Sequence, residues 1–312
     1  LLLAVMEELT FGEAITKARD SLHRFPLKKV RGVPLLEPVA QNWESISSFC
    51  PDPSDLLIAT YPKAGTTWTQ EIVDLLLHNG DAEACRRAPT IVRNPFLEIT
   101  APPPIPSGLE LLSRMKPPRV IKTHLPIQLV PEGFWKNKCK VIYMARNAKD
   151  NLVSYYHFDR MNLSHPEPGP WDGYIHKFMN GELAWGSWYD HVKGYWAEKE
   201  KSNILYLFFE DMKEVNPRRE VERIMQYLDL SVSDDILERI VDLTSFEVMK
   251  NNPMANYTFI PKIVFDPSIS PFMRKGEVGD WVHHFTPEQT KLFDEDYARQ
   301  MRSTNIPFRT NI

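Results

Sequence analysis

The residues best suited to chemistry form the octapeptide Tyr61-Pro62-Lys63-Ala64-Gly65-Thr66-Thr67-Trp68, set between a short apolar run and a helical one. The start of a helix carries unpaired N–H groups and a positive dipole end, which together attract an anion. Gly65 lets the backbone approach such a group closely. Thr66 and Thr67 add hydroxyl donors, and Lys63 adds a mobile positive charge. Lysine precedes glycine here, the reverse of the GxxxxGK[ST] nucleotide loop, and no magnesium-binding partner stands out. The alternative is a lysine in an ordinary strand–helix turn.

Three further groups carry similar chemistry. Arg146-Asn147-Ala148-Lys149-Asp150, with Ser154 on the helix that follows, could grip a phosphate through paired guanidinium hydrogen bonds, or could be a helix-start ion pair at the surface. Arg274-Lys275-Gly276 suits a loop folding over a phosphate, or a solvated basic pair. Lys122-Thr123-His124 ends an apolar run. A histidine can take a proton from an alcohol near neutral pH, and residues two apart on a strand share a face, so Lys122 and His124 point the same way if the strand extends that far. Packing is the alternative for one histidine among nine.

The elements that must position these residues read as alternating strands and helices. Residues 55–60, 120–123, 140–145 and 204–209 are short apolar runs, each ended by polar residues. Helices are expected over 67–79, from 148, and over 217–228. This alternation predicts an α/β fold with a central parallel sheet flanked by helices, whose ligands bind beyond the carboxyl ends of the strands. Residues up to about 54 read as polar and irregular with a short amphipathic start, 101–107 as a proline-rich surface loop, and 252–279 as a long segment of lid or binding-loop character. No linker divides the chain, so one domain is expected.

Composition narrows the classes. A net charge of −4 and a charged fraction of 25% speak against nucleic-acid binding. No apolar run is long enough to cross a bilayer, and the apolar opening 1–5 is too short for a secretory segment. The three cysteines, Cys50, Cys85 and Cys139, form no metal-ligand spacing and suit free thiols in the cytoplasm.

Together these segments resemble the cytosolic sulfotransferases, the phenol (aryl) branch in particular. The likeness runs from about Val30 to Ile312, leaving 1–29 as a partly flexible N-terminal extension. It rests on the octapeptide and on residues 122–126, 145–150, 154–158, 165–169, 186–189, 244–246 and 268–276. The resemblance implies a P-loop-like phosphosulfate loop and transfer of a sulfuryl group from 3′-phosphoadenosine 5′-phosphosulfate to a small phenolic acceptor, with 3′-phosphoadenosine 5′-phosphate as product and no metal. It places Lys63, Ala64, Gly65, Thr66 and Thr67 at the phosphosulfate, and Arg146, Ser154, Phe272, Arg274, Lys275 and Gly276 at the 3′-phosphate end. Trp68 and Phe246 would sandwich the adenine, with Thr244 and Met249 nearby. His124 becomes the base for in-line attack, and Lys63 and Lys122 steady the developing charge. Phe96, Ile99, Phe158, Met161, His165, Trp185, Tyr257 and Val264 would line the acceptor pocket.

Four positions qualify the likeness. Ala64 replaces a usual serine. Phe209 replaces a common tyrosine, an expected loss of about 0.5–1.5 kcal/mol in donor binding. The family's dimer motif is degenerate over 282–291, which puts a homodimer through that patch in doubt. Asp159 would pair with Arg160 or solvent, or favour an amine-bearing phenol. The competing classes are a magnesium-dependent kinase, which lacks its ligands here, and a non-catalytic nucleotide binder, which has no use for Lys63, Lys122 and His124 together.

Overall fold

The computed structural model describes residues 9–309; the apolar opening 1–5 lies outside them. A first helix, α1 (Phe11–Lys17), leads to a hairpin of β1 (Leu27–Val30) and β2 (Val33–Leu36). This corrects the expectation of an irregular start. Pro34 and the adjacent Lys28 and Lys29 disguise the strands. The pairing of Val30 with Val33 forces a two-residue turn in which Arg31 (φ 48°) and Gly32 (φ 83°) are both left-handed.

The main sheet has β3 (Leu56–Thr60), β4 (Val120–Thr123), β5 (Lys140–Ala145) and β6 (Ile204–Phe208) in the order β4-β3-β5-β6, all parallel. The helices that cover it are α2 (Thr66–Leu77), α3 (Ala148–Met161), α4 (Trp171–Met179), α5 (Trp188–Glu198), α6 (Pro217–Tyr227) and α7 (Asp234–Leu243). Strand alternation sorts the side chains into two cores. Ile58, Ile142 and Met144 pack with Ile72 and Val73 of α2, Ile224 of α6 and Ile240 of α7. Leu57, Ala59, Val141 and Tyr143 face Leu152 of α3, Phe178 of α4 and Tyr195 of α5. The sheet is therefore buried on both faces, as its apolar runs require. A short helix, α8 (Phe246–Lys250), and the C-terminal α9 (Pro287–Met301) complete the layers. Among the described residues no helix is long and apolar enough to cross a membrane.

Because the strands are parallel and in register (Ala59 beside Thr123, Thr60 beside Met144, Ala145 beside Phe208), their carboxyl ends fall on one edge. The chain leaves β3 for β4 on one side, then returns to β5 on the other, so connections diverge around the end of β3.

One buried ion cluster fixes that edge from the side. Arg93 bonds both Glu71 and Asp74 of α2, and Arg87 adds a two-pronged pair with Asp74. Arg93 thereby anchors the segment from Pro95 to Leu97, whose backbone pairs with Lys122. Arg93→Met would leave the buried Glu71 carboxylate without its ion-pair partner and Asp74 with Arg87 alone. Urea unfolding should show a loss of about 3–5 kcal/mol; an unchanged midpoint would mean the cluster is not structural.

Candidate active site

The loop after β3 turns sharply because Lys63 (φ 69°) and Gly65 (φ 106°) both adopt left-handed conformations. Gly65 caps α2 without any side-chain hydrogen bond, which leaves the first N–H groups of the helix unsatisfied by side chains. A Cβ on Gly65 would lie 3.1 Å from the Phe209 ring. Phe209, at the end of β6, meets the Trp68 ring edge-on at 5.3 Å and stacks under the Arg146 guanidinium at 4.3 Å.

Arg146 follows β5 and is buried. It donates to the Lys63 carbonyl (3.1 Å) and the Glu277 carbonyl (3.2 Å), while its Nε has no partner among the described residues. It thus joins the β3 loop to the 252–279 segment. Asp150 of α3 holds the same segment through the N–H groups of Gly279 (2.7 Å) and Trp281 (3.0 Å). Arg274 and Lys275 each donate to the buried Asp280 at 2.7 Å. Burial pushes the Asp280 carboxyl up, but these two hydrogen bonds prevail and hold it at about 2. The Arg274 Nε is left without a partner among the described residues. Gly276 (φ 63°) lies against Phe246; a Cβ there would approach the ring to 2.3 Å.

Among the described residues no carboxylate pairs with Lys63. Its Nζ sits over the rings of Phe158 (4.6 Å) and Phe272 (4.1 Å). Desolvation, then repulsion from Lys122, Arg146 and Arg274, lowers its pKa to about 7. Lys122 lies over Phe96 at 4.3 Å and is lowered by burial to about 8.

His124 is buried beside it. Its Nδ1 lies 2.8 Å from the Thr60 carbonyl, which can only accept, so Nδ1 carries the proton and Nε2 keeps its lone pair. Burial and the Lys122 charge hold the ring well below the ordinary histidine pKa, hence neutral. The Thr60 hydroxyl also bonds Thr66 at 2.6 Å, which links the histidine to the start of α2. Glu98 accepts from the His124 N–H (2.8 Å), Thr123 Oγ1 (2.8 Å) and Trp185 Nε1 (3.0 Å). Burial raises the Glu98 carboxyl to about 7.

Many of these side chains border one cavity of about 290 Å³. Its lining includes Lys63, Gly65, Thr66, Thr67, Trp68, Arg146, Ser154, Phe246, Met249, Phe272, Arg274 and Gly276, together with Lys122, His124, Phe96, Ile99, Phe158, His165, Trp185, Tyr257 and Val264; Phe96 and Trp185 meet the His124 ring edge-on, and Phe158 and Phe272 lie against Lys63. Four residues singled out in the sequence do not line it: Ala64, Thr244, Lys275 and Met161. The Thr244 hydroxyl instead bonds back to the Ile240 carbonyl at 2.8 Å. Asp159 also departs from expectation. It is buried and accepts from His165 Nδ1 (2.8 Å) and from the Tyr174 hydroxyl (2.7 Å), so both its oxygens are engaged, neither by Arg160. Sequence reasoning missed Glu98, whose only signal is a lone carboxylate inside Phe96-Leu97-Glu98-Ile99, and Thr60. It also missed the apolar residues of the N-terminal segment.

One end of the cavity can hold an extended anion with a flat ring, and the other presents a neutral imidazole in an aromatic pocket. A sulfotransferase-domain family model matches residues 53–305 of the chain. The chain belongs to the sulfotransferase family. It is 53% identical over 282 residues to human sulfotransferase 1C2 (90% of this chain, 95% of that protein). It is 51% identical over 286 residues to dog sulfotransferase 1B1 (92% and 96%). Among solved structures, mouse sulfotransferase SULT7A1 complexed with PAP superposes with a TM-score of 0.74 at 31% identity, covering 89% of this chain and 95% of that one. Retinol dehydratase with androsterone and PAP gives 0.82 at 26% identity, covering 92% and 93%.

The glycine positions offer a direct check on this sulfotransferase's anion end. Gly276→Ala must displace Phe246 and hold alanine at a left-handed φ, at a cost of about 1–3 kcal/mol. Thermal unfolding should fall accordingly, and binding of an anionic nucleotide should weaken more than tenfold; a variant with full stability and affinity would contradict this packing.

Proposed function

We propose that the protein transfers a sulfuryl group from 3′-phosphoadenosine 5′-phosphosulfate to the hydroxyl of a phenolic or other aromatic acceptor, with His124 as general base. The observation that carries the reading is the convergence of Lys63, Lys122, Arg146 and Arg274 on one cavity, where among the described residues no carboxylate pairs with Lys63 and the Nε atoms of both arginines have no partner. A donor with a 5′-phosphosulfate and a 3′-phosphate suits that excess of charge. It supplies an activated sulfuryl group and a phosphate leaving group. PAP in the related solved structures supports the same donor.

The chain's own residues then divide the work. Gly65, the first N–H groups of α2, Thr66, Thr67 and Lys63 would hold the phosphosulfate. Arg146, Ser154, Arg274 and Gly276 would hold the 3′-phosphate, with Lys275 acting from behind through Asp280. Trp68 and Phe246 would flank the adenine. His124 is poised to accept a proton at Nε2, because Nδ1 is committed to Thr60. The resulting imidazolium is opposed by Lys122 but screened by the incoming anion's charge. Lys63 and Lys122 stabilise negative charge that develops on oxygen during transfer. Glu98 fixes the His124 backbone and Trp185 together, and so sets the acceptor against the base.

Incubation with donor and a simple phenol in the presence of EDTA should give the aryl sulfate. His124→Ala should lower kcat by about 10²–10⁴-fold while PAP still binds. Full activity in that variant would remove His124 as base, and a requirement for magnesium and ATP would favour a kinase.

The lysine pKa values give a second expectation. Free Lys63 is half deprotonated at about pH 7, and Lys122 at about pH 8. A bound anion raises both values, so binding takes up protons as pH rises through about 7 and 8, the two free-protein values, and PAP affinity falls across that window. Calorimetric titration in buffers of different ionisation enthalpy should register proton uptake, and Lys63→Met should reduce it. Affinity independent of pH across this window would contradict the assignment.

A further inference from the structure

The cavity does not stop at the rings around His124. Part of its wall comes from α1 and the residues after it, where Phe11, Ile15, Leu22 and Phe25 line the space along with Ile105 and Ile260.

The helix is built to stay there. The Thr10 hydroxyl accepts from the Glu13 N–H (3.2 Å) and the Glu13 carboxylate accepts from the Thr10 N–H (2.8 Å), a reciprocal cap on the first turn. Phe11, Ala14, Ile15 and Ala18 fall on one helical face. Ala14, Ile15 and Ala18 are buried with Ile105, Tyr257 and Ile260. Gly12 lies so close to the 252–279 segment that a Cβ would meet the Phe259 carbonyl at 2.8 Å.

Arg24 then locks the following stretch to the carboxyl end of α3. Its Nη1 donates to the carbonyls of Asp159 (3.0 Å), Asn162 (3.2 Å) and His165 (2.9 Å), its Nη2 to Arg160 (3.3 Å), and its Nε pairs with Glu167 (3.0 Å). A helix end offers unpaired carbonyls and a negative dipole, so a cation suits it.

We propose that α1 is an acceptor-binding element, in which Phe11 and Ile15 contact the distal body of an elongated apolar acceptor whose hydroxyl lies at His124. The six lining side chains named above offer only methyl, methylene and ring surface, so what they recognise is apolar area. A single ring held by Phe96, Phe158 and Trp185 leaves that surface uncovered, whereas a molecule of several rings covers it. The enzyme therefore favours multi-ring hydroxylated acceptors over single-ring phenols. This inference rests on the sulfuryl-transfer reading above.

The test compares estradiol, a four-ring phenol, with 4-nitrophenol in the full chain, in Phe11→Ala, in Ile15→Ala and in a deletion of residues 1–18. Turnover is measured with the sulfuryl donor, and acceptor binding to the PAP complex by quenching of tryptophan fluorescence, Trp185 being in the wall. The estradiol-to-4-nitrophenol ratio of kcat/KM should fall about tenfold in Ile15→Ala and further in the deletion, through KM rather than kcat. The affinity ratio should fall in parallel. Equal changes for both acceptors, or none, overturn the proposal. If the deletion does not fold, the two point variants decide. If neither acceptor is sulfated but the affinity ratio still falls, the transfer reading fails and the wall stands; if product forms and the ratio does not move, the wall alone fails.

Discussion

The structure depends on holding several cations close together at one edge of a parallel sheet, with no carboxylate of the described residues paired to Lys63. Like charges in a half-buried cavity repel, and the depressed Lys63 pKa records that repulsion together with burial. The surrounding frame opposes it. The Lys63 carbonyl and the Glu277 carbonyl fix Arg146, aromatic faces hold the Lys63 ammonium, and Asp280 sits behind Arg274 and Lys275. Asp150 ties the 252–279 segment to α3, so the two halves of the anion end cannot drift apart. The parallel topology makes this possible because it brings the ends of β3, β4, β5 and β6 to one side.

The same field sets the character of the other end. Lys122 lies close enough to His124 to help keep the imidazole neutral, and the Thr60 carbonyl selects the tautomer with a free Nε2. An imidazole that is already neutral at physiological pH could take up a proton without first losing one. Glu98 supports this arrangement from behind: buried among hydrogen-bond donors, it connects the strand end that carries His124 to Trp185. One cavity thus contains an electropositive end and an apolar end, with Lys63 and Lys122 at the boundary.

Much of this was legible in the sequence. Parallel strands buried on both faces read as uninterrupted apolar runs, so β3, β5 and β6 were plain, and the polar residues that end them marked the site edge. What failed to show was whatever depends on distant partners. Glu98 meets Thr123, His124 and Trp185 from 25, 26 and 87 residues away, and locally it resembles an edge-strand glutamate. Asp159 was misread because Tyr174, on the next helix, takes the oxygen that seemed available. The β1–β2 hairpin was hidden by Pro34 and two exposed lysines, and α1 is too short for periodicity to reveal what its apolar face covers. Trp68 and Phe246 line the cavity, yet nothing in their residue types separates them from core aromatics.

The central claim, that the cation cluster waits for an anionic nucleotide, is tested most directly by titrating the Lys63 side-chain amine by heteronuclear NMR, with and without PAP. The account predicts a pKa of about 7 in the free protein and a rise of at least about one unit when PAP binds, since an adjacent anion favours the charged form. An ordinary lysine value of about 10.4 in the free protein, or a value that PAP does not move, would contradict it.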